Sequence, residues 1–125
     1  MSLISLGQFG EEYTCKYLQS KGYTILDRNF RNKIGEIDII AQEGTVVCFI
    51  EVKTRRTMQY GAPFEAVHSS KQRKMVRMAL SYLKYKFRTV DVLSRFDVIS
   101  IYQAATEEPT LHHLRNAFDL TYLSH

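Results

Sequence analysis

The chain has 125 residues, 45% of them apolar and 24% charged, which is enough to bury one core without disulfides and is unlike a disordered or collagenous sequence. Its longest apolar run, Val46-Val47-Cys48-Phe49-Ile50, falls far short of the ~20 residues that cross a bilayer. The start, Met1 to Gly7, lacks the basic region and long apolar stretch of a signal peptide, so a cytoplasmic protein without membrane attachment is expected.

The net charge is +4, but it is unevenly spread. Residues 68–90 carry Lys71, Arg73, Lys74, Arg77, Lys84, Lys86 and Arg88 and no acid, which leaves ten bases against 13 acids elsewhere. A basic strip on a slightly acidic body suggests a polyanionic partner; a solvated helix face is the plain alternative. Cys15 and Cys48 have no metal-type spacing and read as buried thiols of a reducing compartment. No repeat or linker divides the chain, so residues 1–125 read as one domain.

Residues 5–21 predict a first helix, with Leu6, Phe9, Tyr13 and Tyr17 at helical spacing, Ser5 as N-cap and Gly22 as terminator. Gly7 and Gly10 inside it each cost about 1 kcal/mol against Ala, and close approach to a sheet is the simplest reason for them. Residues 23–31, 35–41 and 46–53 predict three strands, the last two forming a hairpin around Gln42-Glu43-Gly44-Thr45. Residues 54–67, with Gly61 and Pro63, read as a loop. Residues 70–86 predict a second helix, capped by Ser69, with a stripe of Met75, Met78, Ala79, Tyr82 and Leu83. Residues 96–102 predict a strand, and 110–118 are ambiguous between strand and helical turn. The order α-β-β-β-α-β predicts an α/β protein with a mixed sheet flanked by helices.

With Glu43-Gly44 as the two-residue turn, Asp38 faces Phe49, and Asp38, Phe49, Glu51 and Lys53 share one face of the hairpin. Asp38 and Glu51 are then diagonal neighbours, roughly 7–8 Å apart at Cα, with Glu36 opposite Glu51. Ile37, Ile39, Ala41, Cys48, Ile50 and Val52 make the other, apolar face. Several like charges gathered in a mostly buried hairpin cost several kcal/mol each unless they are paired, and a divalent cation offsets that cost. Oxygen ligands suit Mg²⁺ (or Mn²⁺), which polarises a phosphoryl oxygen and lowers the pKa of bound water. Lys53 stands where it can neutralise charge developing on a phosphate. The bland alternative is a strand-end Glu51–Lys53 ion pair with Glu36 and Asp38 as ordinary polar residues.

Gly35-Glu36-Ile37-Asp38-Ile39-Ile40-Ala41 followed by Phe49-Ile50-Glu51-Val52-Lys53-Thr54-Arg55 resembles the bacterial YraN-type family, a branch of the restriction-endonuclease-like PD-(D/E)xK fold similar to archaeal Holliday-junction resolvases. Gly7-x-x-Gly10-Glu11, Arg28-Asn29-Phe30-Arg31, Gly61-Ala62-Pro63, Glu65-Ala66-Val67, Lys71, Arg95-Phe96-Asp97-Val98 and Asn116-Ala117-Phe118 extend the resemblance over roughly residues 5–120. Ile37 replaces the motif's proline, and Thr14 stands where Ala is expected. The resemblance implies Asp38 and Glu51 as metal ligands and Lys53 as the catalytic lysine, with Glu11 completing the metal site. It also implies that Arg55 and Lys71 contact phosphate. Beside such a site Arg56 joins Arg55 as a planar fork, and Arg73 and Lys74 of the basic strip complete a DNA-binding set. Glu36 reads as a supporting or structural residue.

The four histidines show no zinc spacing, and neither a P-loop nor a serine-nucleophile signature occurs. Two functions follow as expectations. One is a Mg²⁺-dependent endonuclease acting on branched or damaged DNA, for which a homodimer is one way to cut both strands. The other is a non-catalytic nucleic-acid-binding module that keeps the fold.

Overall fold

The computed structural model describes residues 5–56, 69–104 and 108–118. The expectations for Gly61-Ala62-Pro63 and Glu65-Ala66-Val67 lie outside these residues. Helix α1 (Leu6–Ser20) begins with a capping box: Ser5 Oγ accepts the Gln8 N–H at 3.1 Å, and Gln8 Oε1 accepts the Ser5 N–H at 3.0 Å. Strands β1 (Thr24–Arg31), β2 (Glu36–Glu43) and β3 (Val46–Arg55) follow. Helix α2 (Ser69–Phe87) starts at Ser69 itself, so this residue is the first of the helix and not its cap. Strands β4 (Ser94–Tyr102) and β5 (Thr110–Phe118) complete the chain order.

The five strands form one sheet in the order β1-β2-β3-β4-β5, antiparallel throughout except for the parallel pair β3–β4. This is the expected mixed α/β sheet, and the ambiguous segment 110–118 is its fifth strand. Helix α1 covers one face, burying Cys15 and Leu18 with Ile39, Ala41, Cys48, Ile50, Ile99 and Ile101. Helix α2 covers the other with its whole predicted stripe, against Ile40, Val47, Phe49, Phe96 and Val98. Cys15 and Cys48 are both buried and free. Among the described residues no helix is long and apolar enough to cross a membrane.

Two details of the hairpin depart from expectation, and both bear on the site. Glu43 pairs with Val46, so the two-residue turn is Gly44-Thr45, with Gly44 at φ +59° in the first turn position, where hairpin turns favour glycine. The ladder runs to Ile39 opposite Ile50, and Phe49 faces Ile40 instead of Asp38. The second departure is that β2 switches faces at Asp38. Ile37 and Ile39 are both fully buried, yet Ile37 packs on the α2 side with Ile40 while Ile39 packs on the α1 side. The apolar face therefore excludes Ile37. Across the ladder, Arg28 and Phe30 pair with Ile39 and Ile37, and Asn29 between them is in the left-handed region at φ +54°. A left-handed residue within a strand bends it and increases its local twist.

Candidate metal centre and basic face

The kink frees Asp38 from ordinary strand alternation and turns its carboxylate to the backbone of β3. Asp38 Oδ2 accepts the Val52 N–H at 2.8 Å, filling a place in the β2–β3 ladder with a side chain. Asp38 is half-buried. Its carboxyl pKa is raised to about 7: burial is the largest cause, the Val52 hydrogen bond opposes it, and the neighbouring Glu51, Glu11 and Glu36 add to the rise. The folded chain thus holds an acid that its own surroundings discourage from ionising.

Helix α1 brings Glu11 to this place. Gly10, one residue earlier, is buried against β3 so closely that a Cβ there would sit 1.8 Å from Thr54 Oγ1. That contact is the close approach expected of a glycine in this helix. Glu11, Glu36 and Asp38 each offer a carboxylate oxygen, and these atoms lie within 4.8 Å of one another. Glu36 is thus a full member of the cluster. It also bonds the Arg31 guanidinium on the adjacent strand at 2.5 Å.

Glu51 lies beside this group without belonging to it, and its Oε1 accepts from the Lys71 ammonium of α2. Lys53, two residues along β3, is half-buried and pairs with Ser100 of β4 in the parallel ladder. Arg55 ends β3, and its carbonyl accepts the Gln103 N–H at 2.8 Å; Arg56 follows, exposed. Arg73 and Lys74 are exposed on α2. The structure therefore brings Glu11, Glu36 and Asp38 together, sets Glu51 next to them in an ion pair, and spreads the basic set over the end of β3 and the first turns of α2.

Three oxygen donors at this separation suit a hard divalent cation such as Mg²⁺ or Mn²⁺.

A second polar network, not anticipated from the histidine spacing, lies toward the other end of α1. Asp97 is fully buried on β4. Its Oδ1 accepts from Arg95 Nε at 3.0 Å and from the Asn116 N–H at 2.9 Å, and its Oδ2 pairs with His113 Nε2 at 2.8 Å. The opposite ring nitrogen of His113 pairs with the Tyr17 hydroxyl at 3.0 Å. The Arg95 fork also donates to Glu43 at 2.8 Å and to the Tyr23 hydroxyl at 2.7 Å. Burial opposes ionisation of Asp97, but the bonds from His113, Arg95 and Asn116 outweigh it and hold its pKa below the usual range. The only sequence signal for this network is the run Arg95-Phe96-Asp97-Val98, whose alternation places a charged pair on an otherwise apolar face.

The fold and the acids define a class: a mixed-sheet α/β protein with carboxylates converging where a kinked strand meets the first helix. Comparison with known sequences gives the family. The profile described as "Uncharacterised protein family UPF0102" matches residues 10–101, and the chain belongs to that family. It is 48% identical over 118 residues to a UPF0102 protein of Geobacter metallireducens, covering 94% of this chain and 95% of the relative. It is 46% identical over 117 residues to one of Geobacter sulfurreducens, covering 94% and 91%. A UPF0102 protein of Alkaliphilus metalliredigens is 44% identical over 114 residues, covering 91% and 97%.

Proposed function

We propose that this protein is a divalent-metal-dependent DNA endonuclease of the PD-(D/E)xK type. The observation that carries the reading is the convergence of Glu11, Glu36 and Asp38 beside Glu51, with Lys53 on the next strand and a basic helix alongside. Glu11, Asp38 and Glu36 would hold Mg²⁺ or Mn²⁺, and Glu51 would join them once released from Lys71. When bound, the ion supplies Lewis-acid polarisation of a phosphoryl oxygen and a more acidic water. Val52 orients the Asp38 carboxylate through its N–H. Lys53 places a positive charge near the phosphate undergoing attack, where charge accumulates. Arg55, Arg56, Lys71, Arg73 and Lys74 neutralise neighbouring phosphates, which makes binding steeply salt-dependent. Two free buried thiols suit a cytosolic setting.

The Lys71–Glu51 ion pair favours the second reading, a binding module without catalysis, because there one acid is already neutralised by the protein itself. The test is cleavage of labelled linear, nicked, flap and four-way-junction DNA with Mg²⁺ or Mn²⁺. Asp38→Ala is expected to abolish cutting, and Lys53→Ala to slow it about a hundredfold or more with DNA binding retained. Cutting that survives both substitutions would overturn the site. Salt-sensitive binding with no cutting of any substrate would select the binding module.

A further inference from the structure

A cavity of about 270 Å³ opens between the β1–β2 connection and the first turns of α2. Its apolar floor is Ile34, Met75 and Met78, and its rim carries Ser70, Lys71 and Lys74. Two members tie it to the acid centre. Glu36 lines the cavity and belongs to the carboxylate cluster, and Lys71 lines it while pairing with Glu51. Whatever occupies the cavity therefore lies against the proposed reaction centre.

Pockets for small molecules commonly run about 300–1,000 Å³, so this one, just below that range, suits one planar ring system, not a base pair. Its chemistry is divided in the same way as a nucleotide. Methionine thioethers make favourable contacts with aromatic rings, and two ammonium groups at the mouth match phosphates.

We propose that the cavity receives a single unpaired nucleobase, unstacked from a strand whose phosphates lie on Lys71 and Lys74. The proposal rests on the nuclease reading for the presence of DNA at this face, and it narrows the substrate to DNA with an unpaired nucleotide beside the bond attacked. Bulges, flaps and junction crossovers offer such a base at little unpairing cost, whereas continuous duplex does not.

Gly35 provides a clean plug. It lines the cavity, and a Cβ built on it meets nothing within 4 Å. Gly35→Trp therefore adds a ring at the cavity wall, at a position where a Cβ has room. The experiment titrates the full chain, with Ca²⁺ present, into three duplexes: one with a 2-aminopurine bulge, one with an abasic bulge, and one fully paired. Base-filled bulge DNA should bind about tenfold tighter than abasic bulge DNA, with a saturating change in 2-aminopurine fluorescence. Gly35→Trp, and independently Ser70→Trp, should erase that gap while leaving affinity for abasic DNA within about twofold. Equal affinity for base-filled and abasic bulges, a gap unchanged in both variants, or no binding to any duplex would overturn the proposal. A base-dependent gap here, with no cleavage of any substrate in the separate Mg²⁺ or Mn²⁺ assay, would uphold the cavity and sink the nuclease reading. Cleavage without a gap would do the reverse.

Discussion

Asp38 and Asp97 are aspartates of one sheet that titrate in opposite senses. The folded pKa of Asp38 is raised to about 7, so the native state keeps a proton that the unfolded chain gives up near pH 4. Stability from that proton is complete below about pH 4 and is lost as pH rises toward 7. Asp38→Asn keeps an acceptor for the Val52 N–H and removes the charge. The metal-free variant should therefore be the more stable protein at pH 7.5, on the order of 1 kcal/mol or a few degrees in Tm, with a flatter profile between pH 4 and 7. Calorimetric melts across that range check it, and a variant less stable than wild type at pH 7.5 would contradict it. Mg²⁺ should raise the Tm of wild type and not of the variant. In the sequence, Asp38 and Glu51 stand out by type and spacing, and Glu11 only through the family resemblance. Alternation also put Glu36 on that face, but its reading as a supporting residue fell short of the cluster membership its carboxylate has.

Element boundaries were readable from periodicity and caps: Ser5 and the α2 stripe are where the sequence puts them. The hairpin register was not, because Gln42-Glu43-Gly44-Thr45 accommodates either placement of its two central residues. The two-residue slip gave Phe49 the partner Ile40 in place of Asp38. The 110–118 strand was ambiguous because an edge strand carries only part of the burial pattern; Arg115 and Asn116 are exposed. The Gly10–Thr54 contact ties α1 to β3 and so places Glu11. Gly10→Ala should force the helix outward, costing about 1–3 kcal/mol, and should weaken Mg²⁺ binding measured by calorimetry. Thr54→Ala in that background removes the nearest atom and should recover part of both losses. Unchanged metal affinity in a folded Gly10→Ala protein would mean that α1 does not position a ligand.

Across the whole molecule, the Asp97 network joins α1, the residue before β1, the end of β2, β4 and β5 through Tyr17, Tyr23, Glu43, Arg95 and His113. Asp97 is held ionised, so its contribution is present above about pH 4 and fades as pH falls through its lowered pKa, opposite to Asp38. Asp97→Ala leaves Arg95, 14% exposed at its side chain, short of its buried counter-charge. A loss of about 3–5 kcal/mol in urea denaturation is expected, against near-neutral effects for exposed charges such as Lys86. The sequence concealed this network because its members are scattered from residue 17 to residue 116. The single parallel pairing has a kinetic consequence. Every acid of the proposed centre, and Lys53, falls within residues 11–53, on α1, β2 and β3. The β2–β3 ribbon closes over a two-residue turn, an event of about 1–10 μs, whereas β4 must find β3 across residues 56–93. During synthesis the carboxylates can therefore gather before the strand that buries the far edge of β3 has left the ribosome.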